Sequence, residues 1–280
     1  MPITERISAE SRKKENILER RIVDFHAHAF HDKIAIKAAK QLNEYYDIPL
    51  AENGLFYHLK QSMLKNKIDK LVIHATATKP SQVKLINDYV KSLTGPDIVG
   101  FGTMHYACPN YEEEFKRIEE MGLLGIKFHP VFQGFKIDDE KMFPIYEQIE
   151  GRFPVLMHMG DKNTDAATPE RLINMLKSFP KMTVIAAHMG GYSEWDEAEK
   201  YIIGNDKYDI YIDTSSSIRF LEPEYTAQLI RRHGAGKVLF GTDYPLSLHA
   251  YELEVFDKVA LTEEESEQIL WKNAYKLLGL

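Results

Sequence analysis

The chain has 280 residues, 44% hydrophobic and 28% charged, a globular composition long enough for one large domain or two small ones. Its net charge of −7 comes without a basic stripe, and no run of about 18 apolar residues marks a membrane span, so neither a nucleic acid nor a membrane is an expected partner. The single cysteine, Cys108, excludes an intramolecular disulfide framework, and the start carries no apolar signal segment, so a cytoplasmic protein is expected.

In chain order, the polar start "ERISAESRKKENILER" reads as a solvated helix or frayed tail over residues 1–20, ahead of one domain over 21–280. Eight β-rich runs follow: 21–28, 69–76, 97–105, 123–130, 153–160, 182–191, 208–216 and 237–245. Between them lie amphipathic stretches with apolar residues three and four apart, such as "SQVKLINDYVKSL", "YEEEFKRIEEMG", "TPERLINMLKSF" and "EPEYTAQLIRRHG". Ser81, Asp138 or Asp139, Thr168 and Ser193 are placed to cap helices, and Gly122 and Gly234 to end them.

Strands alternating with helices predict a parallel sheet covered on both faces. The first strand-to-helix turn, "DFHAHAF", lacks the glycines of a dinucleotide loop. Eight units in this length predict an α/β fold of the closed (β/α)8 TIM barrel type rather than a doubly wound open sheet. Successive strand ends lie 24 to 31 residues apart, but 46 residues separate His28 from His74. That first unit holds an insertion over 30–53, either a wall or lid of the barrel mouth or an extra helix. The C-terminal segment "TEEESEQILWKNAYKLLGL" is expected to pack across the barrel bottom or side.

Most of the eleven histidines fall in these strands or at their C-terminal ends: His26, His28, His74, His105, His129, His158 and His188, joined by Asp213 and Asp243. In a barrel those ends converge on one face, where active sites form. His26 and His28, two apart on a strand, share a face about 6 to 7 Å apart and can reach one ion. Asp24 is expected on the same face one step deeper, as a carboxylate that orients a histidine. His74 and His105 either line the pocket or fill the interior with a paired nitrogen. Cys108 reads as structural. Arg219 is a candidate anchor for a substrate carboxylate. Tyr106, Asn163, Tyr244 and the Tyr45–Tyr46 pair are weaker pocket candidates.

"VDFHAH", "VLMHMG", "IAAHMGG" and "LFGTDYP", in this order at strand ends, resemble the metal-binding strands of the amidohydrolase superfamily. "GIKFHP" before "FPVLMHMG" is similar in particular to the branch that includes aminocarboxymuconate semialdehyde decarboxylase and many predicted metal-dependent hydrolases. The resemblance spans residues 21 to 280. It implies that His26, His28, His158 and Asp243 hold one divalent ion, zinc first, with manganese, iron or cobalt also suited to imidazole and carboxylate donors. His188 would then handle water or substrate, and Asp243 would also carry the proton. In some branches a strand-4 lysine, here Lys127, is carboxylated between two ions. That leaves open a binuclear arrangement with His26, His28 and Asp243 on one ion and His158 and His188 on the other. The branch most resembled holds one, with Lys127 and His129 as pocket residues. Superfamily members often dimerise, which makes a homodimer an expectation here.

The expected function is a metal-dependent hydrolase of a small amide, lactone or ester bearing a carboxylate, through a metal-activated water. The alternative is a lyase, a non-oxidative decarboxylase or hydratase, on the same site. A non-catalytic metal-binding barrel is a third reading, disfavoured because structural zinc sites are usually closed by four protein ligands.

Overall fold

The computed structural model describes residues 20–280, so the expected N-terminal helix or tail over 1–20 falls, but for its last residue, outside the described residues. Eight strands, β1 (Val23–His28), β2 (Lys70–His74), β3 (Ile98–Thr103), β4 (Gly125–Phe128), β5 (Val155–Met157), β6 (Thr183–Ala186), β7 (Asp209–Asp213) and β8 (Val238–Leu239), form one sheet in sequence order. Every neighbouring pair from β1·β2 to β7·β8 is parallel. Beyond its two-residue core, β8 continues as a backbone that closes the barrel on β1. Phe25 N donates to Phe240 O at 2.8 Å, Asp243 N to His26 O at 2.7 Å and His28 N to Tyr244 O at 3.0 Å. The expected (β/α)8 barrel is thus the observed one.

Helices α1 (Asp32–Tyr46) and α2 (Phe56–Lys65) fill the long first connection. They are followed by α3 (Val83–Leu93), α4 (Tyr111–Glu120), the single turn α5 (Pro130–Gln133), α6 (Phe143–Ile149), α7 (Pro169–Ser178) and α8 (Trp195–Tyr201). Then come α9 (Pro223–His233), α10 (His249–Phe256), α11 (Glu263–Glu267) and α12 (Asn273–Leu278). Among the described residues no helix is long and apolar enough to cross a membrane. Thr168 caps α7 by accepting Arg171 N, as its position predicts. Ser193 does not cap: its φ is +59° and Glu194 takes the cap position of α8. Before α3 a short 3-10 turn over Pro80–Gln82 intervenes, so Ser81 lies inside that turn rather than ahead of the helix. Asp139 precedes another such turn, and its carboxylate accepts Lys136 N instead of a helix amide.

Inside the barrel, Val23, Phe25, Val72, Phe101, Leu156 and Ile185 belong to one buried cluster, and Trp271, Tyr275 and Leu278 of the C-terminal segment pack against it. That segment also holds β8, through Ile269 O and Asn273 Nδ2. A larger apolar layer fills the space between strands and helices. On β2 and β5 the inward residues Val72 and Leu156 lead, two residues on, to His74 and His158, as alternation requires. On β1 the register shifts between Asp24 and Ala27. Val23 and Phe25 face the interior below this irregularity, and His26 faces the strand-end site above it. The shift overturns the expectation that Asp24 shares a face with His26 and His28. A bulge of this kind re-aims the side chains beyond it. Here the Asp24 carboxylate takes His26 N at 3.0 Å, Thr242 N at 3.0 Å and Thr242 Oγ1 at 2.6 Å, and His249 Nε2 lies 3.1 Å away.

Candidate metal centre

His26 is fully buried, and its Nδ1 lies 2.8 Å from Asp213 Oδ2 and 3.0 Å from Ser215 Oγ. Burial, with the Lys127 charge next, drives its imidazole down to about 4, so the ring is neutral near pH 7. A neutral ring facing a carboxylate donates from that nitrogen, so Nδ1 carries the proton and Nε2 a lone pair. That lone pair faces the middle of the site, 3.2 Å from Lys127 Nζ and 3.4 Å from Asp243 Oδ1. His28 Nε2 reaches the same Asp243 oxygen at 3.1 Å, and Ser216 Oγ donates to the other at 2.6 Å. The carboxylate that orients His26 is therefore Asp213, which ends β7, and not Asp24. The sequence places Asp213 at a strand end without indicating this role. The run of small hydroxyl residues after it, "DTSSS", is the available signal, because Ser215 and Ser216 brace His26 and Asp243.

His158 and His188 pair with each other. His188 Nδ1 lies 3.1 Å from Ser215 O, and a carbonyl only accepts, so that nitrogen is protonated. His188 Nε2 then accepts from His158 Nδ1 at 3.0 Å. This leaves the lone pair of His158 on Nε2, which receives the Tyr46 hydroxyl at 3.2 Å. Tyr46 also meets His129 Nε2 at 3.2 Å, and the His129 ring stacks on His158 with centroids 3.9 Å apart. His188 thus sets the tautomer of His158, while both His158 nitrogens are engaged by His188 and Tyr46.

The backbone turns sharply where these groups are delivered. His188 and Asp243 adopt φ of +61° and +59°, the left-handed region that non-glycine residues seldom enter and that concentrates at functional sites. Gly160, two residues after His158, has φ +78°, and a Cβ there would lie 2.3 Å from Tyr192 O. Only glycine lets the β5 end pass that close to the β6 loop.

Tyr46, Ile48, His158, His188, Asp243 and Leu246 line the cavity at the strand ends, with Tyr192 and Ser216. The insertion therefore forms a wall of the mouth: Leu42 and Ile48 pack with Leu246, and the Tyr45 hydroxyl donates to Asp161 at 2.7 Å. Lys127 is fully buried at His26, where burial lowers its ammonium to about 8. Arg219 lies behind the cavity wall. It donates to Leu246 O at 3.3 Å and stands 3.8 Å from Glu252. His105 is paired within its own turn, its Nδ1 accepting Ala107 N at 3.1 Å, and it stacks on Tyr106. The Tyr244 hydroxyl is tied to Leu55 O and so is not a free pocket group, and the Asn163 backbone amide donates to Asp161 Oδ1 at 3.0 Å. Cys108 is half-buried outside the strand-end site, on the rim of a groove between α3 and α4.

Among the described residues, two trios of side chains stand close enough to share an ion: His26 with His28 and His74, and His26 with His188 and Asp213. In the second, the Asp213 carboxylate is committed to the protonated Nδ1 of His26. On the open side, neutral imidazoles and one carboxylate fit a divalent ion of the zinc or manganese kind.

A closed parallel barrel that gathers such donors where its strands end is the architecture of the metal-dependent barrel enzymes. A family model described as amidohydrolase matches residues 23–280, and the chain belongs to that family. It is 29% identical over 143 residues to 2-amino-3-carboxymuconate-6-semialdehyde decarboxylase of Caenorhabditis elegans, covering 45% of this chain and 35% of that protein. It is 26% identical over 123 residues to gamma-resorcylate decarboxylase of a Polaromonas species, covering 38% of this chain and 37% of that protein. The matched stretches thus span little more than a third of either relative. In fold, it resembles a dihydroxybenzoic acid decarboxylase from Polaromonas solved with bound manganese. The TM-score is 0.69 at 16% identity, over 93% of this chain and 97% of that one.

Proposed function

We propose that this protein is a metal-dependent, non-oxidative decarboxylase of a small carboxylate. This replaces hydrolysis, the first expectation, because both curated relatives named above are decarboxylases. The observation that carries the reading is the convergence of the His26 lone pair, His28 and Asp243 on one point at the strand ends. A divalent ion bound there would draw electron density from the substrate as its carboxylate leaves. His26, His28 and Asp243 are its proposed holders. His158 would be a fourth holder, its Nε2 lone pair now receiving the Tyr46 hydroxyl.

The remaining steps belong to the chain. Loss of carbon dioxide breaks a carbon–carbon bond and leaves the electron pair on carbon, which must then take up one proton. Asp243 borders the cavity as a carboxylate and is the proposed proton carrier, taking a proton that derives from solvent and passing it to that carbon. Asp213 and His188 hold the tautomers of His26 and His158. Tyr46, Tyr192 and Leu246 exclude water, which keeps the site's electrostatics strong. His129 supports Tyr46 from below, and Lys127 supplies positive charge beside His26. Arg219, first read as a direct anchor for the substrate carboxylate, is proposed to act from behind Leu246 by bracing the cavity wall.

The test is incubation of the metal-loaded protein with a panel of aromatic and aliphatic acids in deuterated, oxygen-18 water. Carbon dioxide release with deuterium at the vacated carbon is expected. Products carrying solvent oxygen without carbon dioxide would restore the hydrolase. Metal analysis is expected to give one ion per chain; two ions would favour the binuclear arrangement through Lys127.

A further inference from the structure

Two strand-end histidines, His74 and His105, have no task in this scheme, and of these His105 is paired within its own turn while His74 is not. It ends β2, and the β1·β2 register sets it directly beside His28. Its ring lies 4.5 Å from that of His28 and 4.9 Å from that of His26, edge-on to both. Each of the three rings offers a nitrogen within 4.8 Å of the other two.

The surroundings of His74 differ from those of its counterparts. It is fully buried, yet neither Nδ1 nor Nε2 has a hydrogen-bond partner. His105 accepts a backbone amide, His26 leans on Asp213, and His158 and His188 hold each other. A buried imidazole with both nitrogens unpaired forfeits its hydration without compensation. As pure filling, this position would be better served by an aliphatic residue, as Val72 shows two residues earlier on the same face. The alternative that His74 fills the interior with a paired nitrogen therefore fails on geometry.

We propose that His74 is an additional ligand of the divalent ion, donating an imidazole nitrogen from β2 beside His26 and His28. The inference rests on the metal-dependent reading above and extends its ligand set to a second strand on that side of the barrel. A donor set this rich in imidazole favours zinc or cobalt over manganese, which prefers oxygen ligands.

Cobalt(II) is the probe. The full chain is stripped of metal and reloaded, and its affinity is read by competition with a chromophoric chelator and its coordination by the visible absorption band. His74→Gln keeps a polar side chain of similar size, and His74→Phe keeps the volume. Both are expected to bind cobalt at least tenfold more weakly, with a shifted and altered band. His105→Ala is expected to match the wild type in both. Far-UV circular dichroism of the metal-free variants shows that each is folded. Wild-type affinity and an unchanged band in both His74 variants would overturn the inference while leaving the metal-dependent reading intact. Failure of the wild type to take up any divalent ion would overturn both.

Discussion

At the scale of single residues, the site is organised by protons placed through hydrogen bonds. Asp213 and Ser215 fix where His26 and His188 carry their hydrogens, and those choices decide which nitrogens face the cavity. Groups that orient metal ligands typically matter 10- to 100-fold in affinity. Asp213→Asn keeps the size of the side chain but removes the carboxylate that draws the proton to Nδ1. It is expected to weaken metal binding by roughly one to two orders of magnitude, measured by chelator competition. An unchanged dissociation constant would show that the His26–Asp213 contact does not orient the ligand. The individual ligand candidates were legible in the sequence, because His-x-His and a histidine or aspartate at strand ends are local features. Asp213's role was not legible, because the 2.8 Å contact joins residues 187 apart in the chain.

At the scale of elements, two arrangements shape the site. The irregularity in β1 lets the same strand serve the interior with Phe25 and the metal side with His26. Alternation read along the sequence has no means of showing such a shift, which is why it puts Asp24 on the wrong face. The second arrangement is the pairing of the β7 loop with α10. Arg219 reaches from that loop toward Glu252 of α10 and at the same time holds Leu246 O, two residues before Leu248, the cap of α10. Burial raises the Glu252 carboxyl from 4.5 to about 7 against the pull of Arg219, with Asp243 and Asp24 adding to the rise. The folded chain then keeps a proton that the unfolded chain has released. Stability is expected to fall as pH rises from 4.5 to about 7, and to level above it. Glu252→Gln lacks this titration, so its melting temperature should gain on the wild type across that interval by several degrees. Parallel melting curves from pH 4.5 to 8 would show that Glu252 does not titrate in this range.

At the scale of the whole molecule, the proposed ligands from β1 and β8 meet only because the sheet closes, through Asp243 N on His26 O and His28 N on Tyr244 O. An ion bridging these strands stabilises the closed form alone, since the unfolded chain does not assemble the site. At a thousandfold excess over the dissociation constant this is worth about 4 kcal/mol, or on the order of 10 °C in melting temperature. Removing the metal with a chelator is expected to lower the melting temperature by that order, and restoring it should recover the loss. A melting temperature indifferent to the chelator would argue against an ion between β1 and β8. The barrel itself was legible from the rhythm of apolar runs and amphipathic helices, whereas the sequence left the C-terminal segment to the bottom or side of the barrel and the structure packs it against the interior cluster.

The sequence by itself determined the eight-unit rhythm, the parallel barrel and the set of polar residues at its strand ends, because strand alternation and helical periodicity are properties of neighbours along the chain. The tertiary structure alone decided which carboxylate orients His26, that His188 serves His158, that Tyr46 of the insertion reaches over both His129 and His158, and that His105 is paired whereas His74 is not. The first three depend on atoms brought within about 3 Å by the fold, and a contact of that kind between distant residues leaves no periodic trace in the sequence, while the lack of a partner for His74 is set by what the closed barrel packs around it.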